Sequence, residues 1–343
     1  PTMSRASSSE SHPVFYQGRY GQVIHGNSLT YIQALDDKSV NLIVTSPPYG
    51  LLREKEYGNV AAEKYNDWIK PFGEQFHRIL KEDGSLVIDL GGSWERGQPT
   101  RSLYQFEVLI MLCRELGFHL AQDFYWWNPS KLPTPAEWVT VRRVRVKDAV
   151  NQIWWLSKTP WPKASNTRVL QPYSDSMKTL LKDGYRPSLI PSGHDISDQF
   201  QKNNGAAIPP NLIAVANTES NSPYIKYCKA RDIKPHPARF PMEVPEYFIR
   251  MLTDEGDTVL DPFAGSCSTG AVCESLHRKW VCLDLEHSYL ESALGRFETS
   301  EGKRIENGTL SSPTEYKIPK AGSLWSLDSH LPGQLRTGKS RNE

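Results

Sequence analysis

Short apolar runs alternate with amphipathic segments along most of the chain, and the two patterns predict different elements. The runs at 22–26, 40–44, 85–90, 118–127, 150–156, 258–260 and 280–283 have the length and composition of β-strands. Residues 40–44 and 85–90 show little alternation with polar residues. This is typical of strands that are buried on both faces of a parallel sheet.

Helical spacing of apolar residues occurs between these runs, at 30–35, 65–81, 104–116, 244–252, 269–276 and 289–297. In the segment 65–81 the apolar side chains recur every three or four positions, and Asp83-Gly84 follow as a stop signal. Strands that alternate with helices predict an α/β fold with a doubly wound, mostly parallel, Rossmann-like sheet and right-handed crossovers.

A proline-rich stretch interrupts this pattern. Nine prolines lie between positions 159 and 235, where polar residues dominate and periodicity is weak. We therefore predict an inserted, loop-rich region at 159–233. The termini, 1–13 and 299–343, are polar and lack an apolar period, so we predict flexible tails there.

Composition narrows the class of protein. The 343 residues are 38% hydrophobic and 23% charged, as in soluble globular proteins. No apolar run reaches the length of a membrane span, and the mostly polar residues 4–11 lack a signal-peptide core, so we expect a cytoplasmic protein without membrane contact. The five cysteines form no CxxC pair, so we expect neither a metal cluster nor a disulfide set. None follows a proline, which excludes a Pro-Cys nucleophile for attack on cytosine C5.

The segment Thr45-Ser46-Pro47-Pro48-Tyr49 directly follows the apolar run at 40–44. Two consecutive prolines cannot continue a strand, because each lacks a backbone donor and has a fixed φ. The chain therefore leaves the sheet here with a hydroxyl, a carbonyl without a ladder partner and an aromatic ring. Such groups suit a planar base that carries an exocyclic amine, with two acceptors for the amine and a face for stacking.

A second segment follows a predicted strand and opens a helix. It reads Asp261-Pro262-Phe263-Ala264-Gly265, and Gly265 allows the backbone to approach a ligand closely. The next strand ends at Asp284, whose carboxylate suits the two hydroxyls of a ribose. The segment is neither a P-loop nor a GxGxxG motif. It indicates an adenosine-containing cofactor, and the alternative is an ordinary tight turn with a surface aspartate.

Both segments lie at the carboxyl ends of predicted parallel strands, so we expect them to share one crevice. The reaction between a base amine and an adenosine-containing cofactor is the transfer of a methyl group from S-adenosyl-L-methionine to the amine. With these two segments the chain resembles the amino-methyltransferases of DNA. The segments TSPPY and DPFAGS are similar to the two hallmark motifs of that family. The catalytic motif precedes the cofactor motif, which is the permuted order of the β group.

The resemblance extends over about residues 20–298. It includes the turn His25-Gly26-Asn27, the helix end at 76–80 and the segment 234–241, which resembles an "HPA-FP" motif. The serine in Ser46-Pro47-Pro48-Tyr49 is similar to the cytosine-N4 members, whereas adenine enzymes more often carry Asp or Asn there. One departure is Cys267, where the family usually has a second glycine.

The resemblance implies roles for particular residues. Ser46 and Pro47 would accept hydrogen bonds from the amine of a base flipped out of double-stranded DNA, and Pro48 and Tyr49 would complete the catalytic motif, with Tyr49 stacking on the base. The implied cofactor-binding residues are Asn27, Asp261, Pro262, Phe263, Ala264, Gly265 and Asp284. For Asn27 a plain turn residue is an equal alternative. The implied division is a catalytic half at 14–158, a target-recognition insert at 159–233 and a cofactor-binding half at 234–298.

The charge distribution points to the same partner. The net charge is +1, but residues 138–186 contain ten Lys and Arg against three Asp. A basic stretch of this kind is a candidate footprint for phosphates, although a solvated surface is the alternative. We predict DNA contacts for Arg142, Arg143, Arg145 and Lys147, and we expect the protein to act as a monomer.

Three other functions compete with this interpretation. The first is an adenine-N6 methyltransferase of the same fold. The second is a methyltransferase of RNA or of a protein glutamine. The third is a non-enzymatic DNA-binding scaffold.

Overall fold

The computed structural model describes residues 12–50, 60–184 and 203–297, together with the strand residues 303–306 and 309–310. The described chain divides into two compact units. The first comprises residues up to 165 and from 211 onward, and the second comprises 166–184 and 203–210. The first unit contains the sheet and the predicted functional segments, whereas helix α4 (Asp175–Asp183) belongs to the second.

The described strands form one eleven-stranded sheet in the first unit. In chain order they are β1 (Val14–Gln17), β2 (Gly21–His25), β3 (Val40–Thr45), β4 (Leu80–Leu90), β5 (His119–Trp127), β6 (Val150–Ser157), β7 (Leu212–Ala214), β8 (Thr258–Asp261), β9 (Lys279–Asp284), β10 (Lys303–Glu306) and β11 (Thr309–Leu310).

The α-helices of the first unit connect or cover these strands. They are α1 (Ser28–Gln33), α2 (Tyr65–Ile79), α3 (Tyr104–Arg114), α5 (Pro223–Ala230), α6 (Glu243–Leu252), α7 (Ser268–Ser275) and α8 (His287–Ala293).

The strand order is β11-β10-β1-β2-β9-β8-β3-β4-β6-β5-β7. The five central strands, β2, β9, β8, β3 and β4, are all parallel neighbours. Among the described strands, only β1, β6 and β11 run against the others. The predicted doubly wound, mostly parallel sheet is therefore confirmed.

The chain changes direction between β8 and β3, which lie side by side. From β3 it passes through α2 to β4 on one side, and from β8 it passes through α7 to β9 on the other. Such a switch point opens a crevice at the carboxyl ends of the two strands, where open α/β sheets bind their ligands.

The core explains why these segments fold as they do. Every residue of β3 is buried, as the lack of alternation predicts. One face of α2 packs into the same core through Ile69, Phe72 and Phe76. The ring of Phe263, in the turn after β8, lies 5.0 Å from that of Phe72, so the core also anchors this turn.

Most predicted elements match the structure within about two residues at each end. Strands β1 and β7 and helices α4 and α5 were not predicted. They are short, and in α4 and α5 proline and polar residues obscure the helical pattern. Residues 211–233, assigned by the sequence to the insert, carry β7 and α5 within the first unit.

The predicted C-terminal tail differs from the structure in one place. Instead of an irregular tail throughout, residues 303–306 form β10, which pairs with β1, and residues 309–310 form β11. An open sheet edge pairs through backbone groups and needs no apolar side-chain pattern, so composition could not predict these strands. Residues 1–11 of the predicted N-terminal tail lie outside the described part of the chain.

Candidate active site at the carboxyl ends of the central strands

A buried carboxylate connects the two strands at the switch point. Thr45, the last residue of β3, donates its hydroxyl to Asp261 Oδ1 over 2.8 Å. Thr269 of α7 donates to the other oxygen, Oδ2, over 2.7 Å. Burial raises the pKa of Asp261 to about 6, although these hydrogen bonds oppose the shift. Asp261 therefore fixes the start of the glycine turn against the end of β3.

One cavity of about 690 Å³ lies above this junction. Both predicted motifs line it, so the expected shared crevice is present. The predicted residues in its wall are Asn27, Ser46, Pro47, Pro48, Tyr49, Asp261, Pro262, Phe263, Ala264, Gly265 and Asp284. A volume of this size is typical of small-molecule and cofactor sites.

One hydrogen bond attaches the double-proline turn to α2. Tyr65 donates its hydroxyl to the carbonyl of Pro48 over 2.7 Å. The Pro48 carbonyl therefore already accepts one hydrogen bond. The preceding carbonyl, that of Pro47, receives no hydrogen bond from the described residues.

Tyr49 is held by the end of β4. Its ring packs so closely on Gly91 that a Cβ there would lie 2.3 Å from Tyr49 Cε2. Its hydroxyl donates to Asp89 Oδ2 over 2.7 Å. Burial raises the pKa of Tyr49 well above its usual value, and the Asp89 charge raises it further, so the phenol stays protonated.

Asp89 was not among the site residues predicted from the sequence. Three donors converge on its Oδ2: Tyr49 at 2.7 Å, the Ser46 hydroxyl at 3.3 Å and the Asn151 amide at 3.5 Å. Its Oδ1 is buried and has no hydrogen-bond partner among the described residues. Asp89 lines the cavity and is 1% exposed. Such an arrangement is typical of a functional carboxylate.

Burial raises the pKa of Asp89 to about 6, while the hydrogen bonds from Tyr49, Asn151 and Ser46 lower it. The carboxyl is therefore ionised at neutral pH and remains a useful proton acceptor. A signal for this residue was visible in the sequence. Asp89 is the lone charged residue in the apolar stretch 86–90. A carboxylate in a buried strand is rare unless it has a partner or a function.

On the other side of the cavity, the glycine turn is shaped by backbone contacts. Gly265 has φ +51°, which favours glycine, and donates its amide to Asp284 Oδ2 over 2.8 Å. A Cβ on Gly265 would approach the ring of His236 to 3.0 Å. The other Asp284 oxygen accepts the Glu286 amide over 2.9 Å, and burial raises the Asp284 pKa.

Cys267, the departure from the family pattern, also has a left-handed backbone, with φ +54° and ψ +36°. This conformation is unfavourable for a residue with a Cβ, which explains why glycine is usual there. The Cys267 side chain is fully buried. The turn therefore keeps the shape that glycine would adopt and carries the strain of a side chain.

Asn27 fills the turn role, which was one of its two predicted alternatives. Its Oδ1 accepts the amides of Leu29 and Thr30 at 2.9 and 3.4 Å, so it is the N-cap of α1. It also lies in the cavity wall beyond the end of β2. Contact with a cofactor stays a prediction.

His236 belongs to the "HPA-FP" segment and lines the cavity, but it was not predicted as a site residue. Its Nδ1 accepts the Ala238 amide over 3.2 Å, which places the ring proton on Nε2. Burial lowers its pKa to about 4, so the ring is neutral at physiological pH. The motif that contains His236 could be recognised in the sequence, whereas the packing of its ring against Gly265 could be seen only in the structure.

The four predicted DNA-binding residues do not line the cavity. Arg142, Arg143, Arg145 and Lys147 are exposed on the connection between β5 and β6. Arg142 pairs with Glu137 at 2.7 Å, and Lys147 donates to two backbone carbonyls of its own loop. Their contact with DNA stays a prediction.

The described residues contain no cluster of three or more His, Cys, Asp or Glu side chains with the spacing of a metal site. Within the same residues, no helix has both the length and the hydrophobicity needed to span a membrane.

Comparison with known proteins agrees with the fold, and the matched ranges include both predicted motifs. A family model described as DNA methylase matches residues 40–295. The chain is 50% identical over 285 residues to the type II methyltransferase M.PvuII of Proteus hauseri, an alignment that covers 82% of this chain and 85% of that protein. It is 25% identical over 285 residues to the DNA adenine methyltransferase YhdJ of Escherichia coli (strain K12), covering 81% and 83%.

A solved structure is similar as well. The PvuII DNA methyltransferase, described as cytosine-N4-specific, superposes with a TM-score of 0.69 at 42% sequence identity, covering 84% of this chain and 89% of that one. The resemblance to the amino-methyltransferases of DNA is confirmed. The chain belongs to the N6/N4 DNA methylase family.

Proposed function

We propose that this enzyme transfers a methyl group from S-adenosyl-L-methionine to the N4 amine of a cytosine flipped out of double-stranded DNA. The observation that carries the proposal is the shared cavity: Ser46 and Gly265 line the same 690 Å³ space at the switch point. A base and a cofactor bound there meet in one chamber, so their reacting atoms can be aligned.

The glycine turn suits the cofactor. Gly265 leaves room beside His236 that a side chain would fill, and Asp284 presents a carboxylate in the cavity wall. The Asp284 oxygens already accept two backbone amides, yet each retains a lone pair for a ribose hydroxyl. When bound, S-adenosyl-L-methionine supplies an electrophilic methyl group on a sulfonium.

The proline turn suits the base. The Ser46 hydroxyl and the Pro47 carbonyl are the acceptors for the two N4 protons. The Pro47 carbonyl receives no hydrogen bond from the described residues, whereas the Pro48 carbonyl already accepts one from Tyr65. Tyr49 would stack against the extruded ring while its hydroxyl stays anchored to Asp89. Acceptors at N4 draw its lone pair out of conjugation and stabilise the positive charge that develops on nitrogen.

Asp89 supplies the charge for this step. Ser46 donates its own proton toward Asp89 Oδ2, which makes the serine oxygen a stronger acceptor. As N4 gains a methyl group it must lose a proton, and the ionised Asp89 is the base that receives it, through Ser46 or at its unpaired Oδ1. No covalent bond to the enzyme is required.

Two features favour cytosine over adenine. The catalytic motif carries serine at Ser46, as in cytosine-N4 members. The structural relative with the TM-score of 0.69 is described as cytosine-N4-specific. The same resemblance to the PvuII enzyme implies the palindrome CAGCTG as the target, with the inner cytosine methylated. In this proposal the enzyme acts as a monomer, Arg142, Arg143, Arg145 and Lys147 contact phosphates, and the region 159–233 reads bases.

The identity of the product tests the proposal. Duplex DNA is incubated with the protein and methyl-labelled cofactor, digested to nucleosides and separated by chromatography. We expect label in N4-methyldeoxycytidine. Label in N6-methyldeoxyadenosine would replace cytosine by adenine as the target, and unlabelled DNA would contradict DNA methylation altogether.

The target sequence is tested separately. DNA treated with the protein and cofactor is challenged with a set of restriction endonucleases, and the protected sites are mapped. Protection confined to CAGCTG is the expected result, whereas protection of a different sequence would keep the activity and change the assigned target.

A further inference from the structure

A short two-stranded ribbon follows the end of β4, at the edge of the sheet that carries the cavity. Residues 93–102 fold back on themselves, with Trp94 opposite Arg101 in antiparallel register. Glu95 donates its amide to the carbonyl of Thr100 over 2.9 Å and continues the pairing toward the turn. We call this segment the ribbon.

Side-chain hydrogen bonds fix the ribbon against the connection between β5 and β6. Trp94 donates its indole N–H to Asp148 Oδ2 over 3.1 Å, and Arg101 donates to the same oxygen. Arg145 donates its Nε to the carbonyl of Pro99 over 3.0 Å. These bonds join segments that are 46 to 54 positions apart. The ribbon is therefore held in one orientation, as recognition elements on a rigid support are.

The tip of the ribbon carries polar side chains that the rest of the fold leaves unpaired. Glu95, Arg96 and Gln98 are all exposed. Within the described part of the chain, neither Arg96 nor Gln98 has a side-chain hydrogen bond or an ion pair. The bonds that brace the ribbon thus present free donors and acceptors to a partner.

The position of the ribbon identifies that partner. It begins four positions after Asp89, which lies in the cavity wall and accepts the Ser46 hydroxyl. A base that enters this part of the cavity comes from a duplex lying over the same edge of the sheet. The ribbon continues from that edge, and a two-stranded ribbon has a width that the major groove of B-DNA admits.

The side chains at the tip match the groups that distinguish base pairs in the major groove. The guanidinium of Arg96 suits O6 and N7 of guanine, and the carboxamide of Gln98 suits N6 and N7 of adenine. The carboxylate of Glu95 is repelled by phosphates but can accept a hydrogen bond from cytosine N4. The tip therefore suits base edges better than the phosphate backbone.

We propose that Arg96 and Gln98 are specificity-determining residues, which contact a guanine and an adenine of the target sequence in the major groove. This inference rests on the proposed function and adds a second recognition element to the region 159–233. The ribbon has a different task from Arg142 and Arg143, because phosphate contacts position a duplex without selecting its sequence.

The first test replaces one base pair at a time. The kcat/KM for methylation is measured on a short duplex with the target sequence identified by restriction mapping, and on duplexes with each pair replaced except that of the methylated cytosine. The unaltered enzyme should lose about 5- to 150-fold at each pair that it contacts. Arg96→Met should lose a similar factor on the target and abolish discrimination at one G·C pair, and Gln98→Met should do so at one A·T pair.

Arg114→Met and Gln33→Met are the matched controls. Both residues are exposed at the ends of helices, Arg114 on α3 and Gln33 on α1, and neither lines the cavity. These variants should keep both the rate and the discrimination of the unaltered enzyme. Circular dichroism checks the fold of each variant, and Arg96→Gln replaces Arg96→Met if the latter does not fold.

A second measurement tests the guanine contact from the DNA side. Replacement of a guanine by 7-deazaguanine removes the N7 acceptor in the major groove and keeps Watson–Crick pairing. At one guanine this replacement should slow the unaltered enzyme but have no further effect on Arg96→Met, because both changes remove the same hydrogen bond. The replacement of an adenine by 7-deazaadenine tests Gln98 in the same way.

A uniform loss on every duplex, with discrimination retained at all positions, would make the tip a phosphate contact and overturn the proposal. Unchanged rates in both variants would overturn it as well. So would losses from Arg96→Met and 7-deazaguanine that add at every guanine. If the unaltered protein methylates no duplex, the proposed function itself fails, which is a different outcome.

Discussion

The two walls of the cavity are built from different kinds of group, backbone on one side and side chains on the other. On the cofactor wall, the glycine turn is shaped by backbone: a left-handed Gly265, a left-handed Cys267 and amides bound to Asp284. On the base wall, the contacts that matter are between side chains: Ser46, Tyr49 and Asn151 all meet Asp89.

This difference corresponds to two physical tasks. Holding the cofactor in one orientation needs a surface of fixed shape, which backbone provides without side-chain freedom. A base amine that changes its charge during the reaction needs groups whose proton affinity can be tuned. Substitutions on the base wall should therefore change turnover, and those on the cofactor wall should change affinity.

The largest effect is expected for Asp89→Asn. The amide keeps the size of the carboxylate but removes the proton acceptor, so turnover should fall about 10²- to 10⁴-fold. Cofactor affinity measured by calorimetry should stay near normal. Turnover within a few-fold of the unaltered enzyme would remove Asp89 from the reaction.

Ser46→Ala should have the next largest effect. It removes one acceptor for N4 and the link to Asp89, and single stabilising groups of this kind contribute about 10²-fold to turnover. Single-turnover methylation gives the rate, and cofactor titration gives the affinity. Equal losses of both in a folded variant would contradict the assignment of Ser46 to the base wall.

Asp284→Ala should weaken S-adenosyl-L-methionine about 10- to 100-fold, because it removes charged hydrogen bonds to the ribose and loosens the Gly265 turn. Glu291→Ala, on α8 outside the cavity lining, is the control and should bind normally. Calorimetry checks both variants. An Asp284→Ala variant with unchanged affinity would reject the ribose role.

The pH profile of turnover should follow Asp89. Burial raises its pKa to about 6, and the reaction needs the ionised form, so the rate should rise about tenfold per pH unit below 6 and level off above it. Methylation rates at saturating cofactor and DNA measure the profile. A rate that stays flat from pH 5 to 8 would indicate that no group on the base wall titrates.

The smallest effect concerns the shape of the cofactor wall. Cys267→Gly and Cys273→Gly remove the same buried thiol, but only Cys267 has a left-handed backbone that glycine relieves. The free energy of unfolding of Cys267→Gly should therefore exceed that of Cys273→Gly by about 1–2 kcal/mol. Denaturant titration measures the difference, and equal values would show that the turn carries no strain at Cys267.

Local pattern carried much of the fold and both motifs. We could predict the central strands and the helices that join them, because apolar periodicity is set by neighbouring residues. We could predict the segments around Ser46 and Gly265, because the double proline and the glycine determine the backbone conformation within a few residues. Strands β1, β7 and β10 escaped prediction because edge pairing depends on which backbone is nearby.

The sequence alone determined that a proline turn and a glycine turn end two buried strands, and so which chemistry they favour. Proline fixes the backbone, and glycine permits conformations that other residues avoid, wherever they stand. Only the tertiary structure decided that Asp89, 43 positions after Ser46, meets its hydroxyl, and that Asn151 donates to the same carboxylate. These contacts join distant segments, and their energies depend on a burial that arises when the sheet and its helices close around them.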